Sequence, residues 1–384
     1  MRFKVAKSDL EDALQVVGAS LSSNGSDISG HYTFRRTGPD EDGKYGVEVL
    51  TNSERVFSSC PIIVSVEDEG TVGGFTVEGW RLKEWVKFVP ADSVPEFILD
   101  DGEVVVRVKK GKQTFQSLDY TKFPYWDKAL KDAKLTARIP ADRLAAALGY
   151  SRLFASDNDT GQPDMCVCEV KEGTLFSSDK KAVTLIEVLG MDQSEMRVHA
   201  KDVSGFLSFL GHIKEGEVEI LEHERMLFVR RCSGGAVFGE SRFFFSFPFP
   251  KMKIADLDQH QWSLPKAELQ QVVGFLVSGA VKEDNRLRMA PGETAGTVSL
   301  SMTSATGKVT VLPLVASGME SDPKAPEVPD EGFLLDHRIL TKIVGAWKGD
   351  DIRFGVNVKG DGGFVRFSYS QLESKYLTIL PWIR

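Results

Sequence analysis

The sequence predicts an α+β protein made of three tandem copies of one domain, each with two helices backed by antiparallel sheets. Three observations carry this expectation. A short strand running into an amphipathic helix recurs three times, a second strand–helix pair follows each copy about 60–70 residues later, and a two-stranded hairpin follows each second helix.

The first set begins with Phe3-Lys4-Val5, which leads into a helix through Leu10, Ala13, Leu14 and Val17. Its second copy is Ala137-Arg138-Ile139 with Leu144, Ala147, Leu148 and Tyr150, and its third is Trp262-Ser263-Leu264 with Leu269, Val272, Val273 and Leu276. Pro140 and Pro265 suit a first helical turn, where the missing N–H would be unpaired anyway.

In the second set, Phe75-Thr76-Val77 precedes Leu82, Trp85 and Val86, and Met196-Arg197-Val198 precedes Val203, Phe206, Leu207 and Leu210. Phe333-Leu334-Leu335 precedes Ile339, Leu340, Ile343 and Val344, with Asp336 placed to cap the helix. The hairpins are expected over 96–108 around Asp100-Asp101-Gly102, over 218–231, and over 352–369 around Gly360-Asp361-Gly362-Gly363. Polar joints near 126–134 and 250–261 divide the 384 residues into domains at 1–128, 129–255 and 256–384. Met319–Gly332, rich in proline and acid, reads as a mobile loop of the third domain.

Composition narrows the function. No apolar run approaches the roughly 18 residues that span a bilayer, and the opening residues carry no targeting core, so a soluble cytoplasmic protein is expected. Cys60, Cys166, Cys168 and Cys232 are too few for a disulfide framework. Phosphate-loop, His-Glu-x-x-His and Gly-x-Ser-x-Gly patterns are missing, so neither a catalytic residue, a cofactor nor a metal is expected. His223-Glu224, Asp100-Asp101 and Asp350-Asp351 fall at element boundaries, where such residues favour turns.

The formal charge is −8, yet the six expected helices with their flanks hold about 13 basic against 8 acidic residues, leaving about −13 for the rest. Basic helices in an acidic protein suit a surface that meets phosphate on one side only. The candidate phosphate-facing residues are Arg81, Lys83, Lys87, Arg143, Arg152, Lys201, Lys266, Arg338, Lys342 and Lys348. Helix 1 departs from the trend, since Asp9, Glu11 and Asp12 outnumber Lys7.

The order and spacing of several segments resemble the bacterial DNA sliding clamp, the beta subunit of DNA polymerase III. They are Met1-Arg2-Phe3-Lys4-Val5 with helix Leu10–Leu21, Phe75–Pro90, Gln116-Ser117-Leu118 through Lys122-Phe123-Pro124, Ser177-Ser178-Asp179, Phe247-Pro248, and Tyr376 through Leu380-Pro381-Trp382. The resemblance implies a homodimeric ring around double-stranded DNA that tethers DNA polymerase, a clamp loader and other proteins carrying a clamp-binding peptide. It implies a dimer interface at Phe115 with Phe275, Leu276 or Val277 of the second copy. It also implies a peptide pocket at Ser178, Val183, Pro248, Met252, Leu380, Pro381 and Trp382. Lys180, Lys181 and Ala182 replace the family's usual Gly-His-Arg, and Trp382 stands where methionine is common. A clamp-fold inhibitor and a metal-dependent phosphodiester-processing enzyme are the alternative readings.

Overall fold

The computed structural model describes residues 1–384 except 23–26, 40–44, 54, 67–72, 110, 214–215, 248–258, 281–284, 305, 324, 360–361 and 384. Seven α-helices are found among the described residues: α1 (Lys7–Val17), α2 (Gly79–Phe88), α3 (Asp127–Asp132), α4 (Ala141–Arg152), α5 (Val203–Gly211), α6 (Lys266–Gly279) and α7 (His337–Ala346). Six answer to the repeated pattern; α3 is a short addition in the joint expected at 126–134.

The chain forms two compact units. The first comprises residues 1–145, 190–198 and 202–244, and the second comprises 146–189, 199–201 and 245–384. The expected boundaries near 128 and 255 describe repetition in sequence; compactness is drawn along different lines.

Unit 1 contains a five-stranded antiparallel sheet in the order Val64–Val66, Arg2–Val5, Glu96–Asp100, Glu103–Val108, Gly111–Gln116. Its eight-stranded sheet runs Lys134–Pro140, Glu217–Glu222, Met226–Arg231, Val237–Ser241, Val56–Ile62, Tyr45–Asn52, His31–Pro39, Gly74–Glu78. Between them, α1 buries Leu10, Ala13, Leu14 and Val17 in the same core as Phe3, Phe34, Phe75 and Phe97. The four rings pack closely, with Phe3–Phe97 and Phe34–Phe75 centroids both 5.1 Å apart, and burying each such ring contributes about 2–3 kcal/mol. In the same unit Phe238 lies edge-on to Phe206 of α5 at 4.7 Å.

Unit 2 is built on a branched antiparallel sheet. Val167–Lys171, Thr174–Ser178, Val183–Glu187 and Ser374–Ile383 pair in sequence, followed by Phe333–Asp336, Arg286–Pro291, Thr297–Thr303 and Val309–Val315. From Ser374–Ile383 a second branch runs through Gly362–Gln371, Asp351–Lys359 and His260–Pro265 to Gly318–Ser321. Helices α6 and α7 pack together, burying Leu269, Val273 and Leu276 of one and Ile339, Leu340, Ile343 and Val344 of the other.

Asp101 (φ 43°) and Gly102 (φ 80°) form the tight hairpin turn expected between Asp100 and Glu103. Asp336 caps α7, its side chain accepting the Arg338 N–H at 2.9 Å. The turn at 360–361 lies outside the described residues.

Two expectations need correction. Pro140 ends a strand and Pro265 is the cap before α6 rather than its first helical residue, because the strand continues to the helix without an intervening loop. Met319–Gly332 is not wholly loop: Gly318–Ser321 pairs with His260–Ser263. His260 lies 2.7 Å from the Pro326 carbonyl and 3.0 Å from Ser321, further fixing this segment.

Candidate functional site

Over their observed bounds the six long helices hold nine basic and six acidic residues. The excess is smaller than the sequence count because flanking charges of both signs, Lys201, Asp202, Asp336 and Lys348 among them, lie outside the helix bounds. On α2, Arg81 and Lys87 are exposed and pair with Glu78 (3.5 Å) and Glu84 (2.6 Å). Lys83 is half-buried over the Tyr32 ring at 5.8 Å, and burial lowers its pKa.

Arg143 is half-buried in the first turns of α4, and Arg152 is exposed in its last turn. Lys266 donates to the Trp347 carbonyl at the end of α7 (2.5 Å), where a cation complements the helix dipole. Arg338 pairs with Asp336 at 3.7 Å, Lys342 donates to the Leu153 carbonyl at 2.8 Å, and Lys348 is exposed. Thus Lys83 and Lys266 are turned into the fold, while the other helix cations keep exposed or partly exposed heads.

Lys201 belongs to a cluster that sequence reasoning missed. Asp159, Cys166 and His199 bring donor atoms within 4.8 Å of one another, a set of types zinc accepts. The existing hydrogen bonds oppose that role. His199 Nδ1 accepts the Lys201 backbone N–H at 3.2 Å, leaving Nε2 to donate to Asp159 at 2.9 Å. The Lys201 ammonium pairs with the same carboxylate and, with His199, holds its pKa down to about 2.

The expected docking residues meet through strand pairing. Ser178 and Val183 flank a turn, and Val183 pairs with Ile379 beside Leu380 and Pro381. Ser178 and Leu380 are each only 2% exposed, Val183 is half-buried and Pro381 is exposed. Pro248 and Met252 lie outside the described residues, as does the Trp382 side chain. The tail is no edge strand, because Ser374–Ile383 pairs with Val183–Glu187 on one side and Gly362–Gln371 on the other.

The expected interface residues separate by exposure. Phe115 is 2% exposed and packs edge-on against Trp85 at 6.4 Å, so its ring belongs to the core of unit 1 and offers no surface to a second copy. Leu276 is also buried, Val277 is half-buried, and Phe275 is 62% exposed. Gly111–Gln116 ends one sheet and Val309–Val315 ends another. Val309, Val311 and Val315 are more than half exposed, an apolar edge of the kind that invites another strand.

His223-Glu224 forms the turn between Glu217–Glu222 and Met226–Arg231, with the His223 N–H donating to the Met226 carbonyl. Asp100 and Asp351 sit at strand ends.

These elements build the fold of a DNA sliding clamp. Solved structures similar to the chain along its length include the DNA polymerase III beta subunit from Pseudomonas aeruginosa, at 15% identity, 99% coverage of both chains and TM-score 0.76. The Bacillus subtilis DNA polymerase sliding clamp is similar at 15% identity and TM-score 0.79, covering 100% of this chain and 99% of its own. The DNA polymerase beta subunit of Streptococcus pyogenes is similar at 11% identity and TM-score 0.82, with 100% of both chains covered. No protein-family model and no curated protein matches the sequence.

Proposed function

We propose that this chain is a processivity factor: a sliding clamp that encircles duplex DNA without reading sequence and tethers a polymerase. The carrying observation is likeness to clamp structures over the whole of both chains, with TM-scores up to 0.82 among those described. A clamp needs phosphate contacts that position without specifying, and exposed cations on and beside helices of net basic balance can supply them. In this reading Arg81, Lys87, Arg143, Arg152, Lys201, Arg338, Lys342 and Lys348 face DNA, while Lys83 and Lys266 support the helices. The chain works as a binding platform rather than as an enzyme.

The ring would be a homodimer of chains carrying domains 1–128, 129–255 and 256–384. Its joint would pair the free edge Gly111–Gln116 of one copy with Val309–Val315 of the other, with Phe275 as the exposed apolar contact. Partner peptides would dock beside Val183 and Pro381, together with Pro248, Met252 and Trp382. No helix among the described residues is long and apolar enough to cross a membrane, and a cytoplasmic replication role is consistent with that.

Primer extension with the cognate polymerase and clamp loader tests this function. Longer products on circular templates are expected when the protein is added. Unchanged product length, or cleavage of DNA in the presence of a divalent metal, would overturn the reading.

A further inference from the structure

We propose that the sheet face around Val183, Phe364 and Pro381 selects an apolar peptide with an acidic flank, through Lys180 and Lys181 at its rim. This proposal rests on the docking reading above and adds the partner's charge. Leu185 and Ile379 are buried in a cluster with half-buried Phe176, Val183, Phe364 and Leu377. Strand register places these residues together: Phe176 faces Leu185, Leu185 faces Leu377, Val183 faces Ile379, and Phe364 faces Pro381. One end of this face is already covered by an aromatic side chain of the same chain. Phe247 stacks on Phe176 at 6.1 Å, while its backbone N–H donates to Glu169.

The turn beyond Ser178 and Val183 brings two lysines to the end of that face. Ser178 Oγ accepts the Lys180 N–H at 3.0 Å and donates to the Ala182 carbonyl at 2.7 Å. Asp179 accepts the N–H groups of Lys181 and Ala182, so its carboxylate is turned back into the loop. Both lysines are exposed; Lys181 reaches Asp336 at 3.6 Å.

Lys180 has φ 69°, a conformation that glycine would adopt without hindrance from a Cβ. A lysine held there at the rim of an apolar surface is a strained residue whose charge has a use. Arg366, directly across from Ile379, adds a third cation to the same face. An apolar anchor on the strip with Asp or Glu beside it would meet complementary charge.

Fluorescence anisotropy on the full-length protein tests this with three labelled nine-residue peptides. They share a Leu-Leu-Phe centre and carry Asp-Asp, Ser-Ser or Lys-Lys on its flank. The Asp peptide should bind about 3- to 10-fold tighter than the Ser peptide and the Lys peptide weakest, with the difference shrinking as salt rises. The double variant Lys180→Ser/Lys181→Ser should bring all three within about twofold of one another, and Lys180→Gly should lose part of the preference while easing the turn. Pro381→Asp should weaken the Asp peptide most. Equal binding of the three peptides to the unaltered protein overturns the charge preference while leaving docking intact; binding of none overturns both. Loss of affinity for a short DNA duplex in the double variant, with peptide preference unchanged, would assign the lysines to DNA and also overturn the proposal.

Discussion

The Tyr150 hydroxyl lies 2.8 Å from Thr378 Oγ1, both buried, and joins α4 to the tail strand across 228 residues of sequence. Around this contact Tyr369 and Tyr376 stack at 4.6 Å, and Tyr150 meets Tyr376 edge-on at 5.2 Å. Tyr150→Phe keeps the ring packing but deprives the Thr378 hydroxyl of this partner. We expect a loss of about 1–3 kcal/mol in urea denaturation; a change under about 0.3 kcal/mol would show that this bond contributes little.

Glu240 sets a pH dependence. It is 1% exposed on Val237–Ser241, and burial, followed by the nearby Asp202 carboxylate, raises its pKa well above the usual range; Arg55 opposes the shift. Arg55 itself pairs with Asp202 at 3.0 Å. The folded chain therefore keeps a proton that the unfolded chain releases near pH 4.5. The resulting stability is fully present below that pH and is lost as pH rises through the raised folded value. Glu240→Gln should flatten this part of the curve, so that the variant gains on the parent as pH rises from 5 to 9 in denaturant titrations. A parallel decline in the two proteins would contradict the assignment.

Arg152 and Lys266 separate a DNA role from a structural one. Arg152→Ala should leave thermal stability unchanged and reduce the slope of log affinity against log salt by about 1 on duplex DNA. Lys266→Met removes the donor to the Trp347 carbonyl and should lower stability by about 1 kcal/mol, with the salt slope unaltered. The opposite pattern would exchange their roles.

The turn joining Gly362–Gln371 to Ser374–Ile383 consists of Leu372 (φ 48°) and Glu373 (φ 57°), both in left-handed conformation without glycine. Leu372→Asn with Glu373→Gly supplies the residues such a turn favours and should stabilise the fold by about 1 kcal/mol. A lower melting temperature would show that the native side chains make compensating contacts.

That turn also shows what the sequence made legible and what it hid. Asp101-Gly102 announces a hairpin by composition, whereas Leu372-Glu373 carries no turn signal and is imposed by the pairing of its two strands. Helices were readable because their apolar spacing matches the core, as Leu10, Ala13, Leu14 and Val17 do in α1. Spacing shows which helices carry positive charges but not where each side chain reaches: Lys266 donates to a carbonyl 81 residues away, a contact that local spacing does not encode. The resemblance implies an interface role for Phe115, and only tertiary packing shows that the core of its own unit buries it. The strained Lys180 was visible as a departure from a family pattern, without the backbone angle that gives the departure meaning.

The middle repeat is divided in the folded chain. Its strands Lys134–Pro140, Glu217–Glu222, Met226–Arg231 and Val237–Ser241 belong to the sheet of unit 1, whereas Val167–Lys171, Thr174–Ser178 and Val183–Glu187 belong to that of unit 2. The expected middle domain, 129–255, and the compact units therefore divide the chain at different places. Residues 129–255 expressed alone would leave strand edges of both sheets without neighbours, and hydrogen exchange in the whole chain should reveal two cooperative blocks, with protection changing inside the middle repeat rather than at its ends.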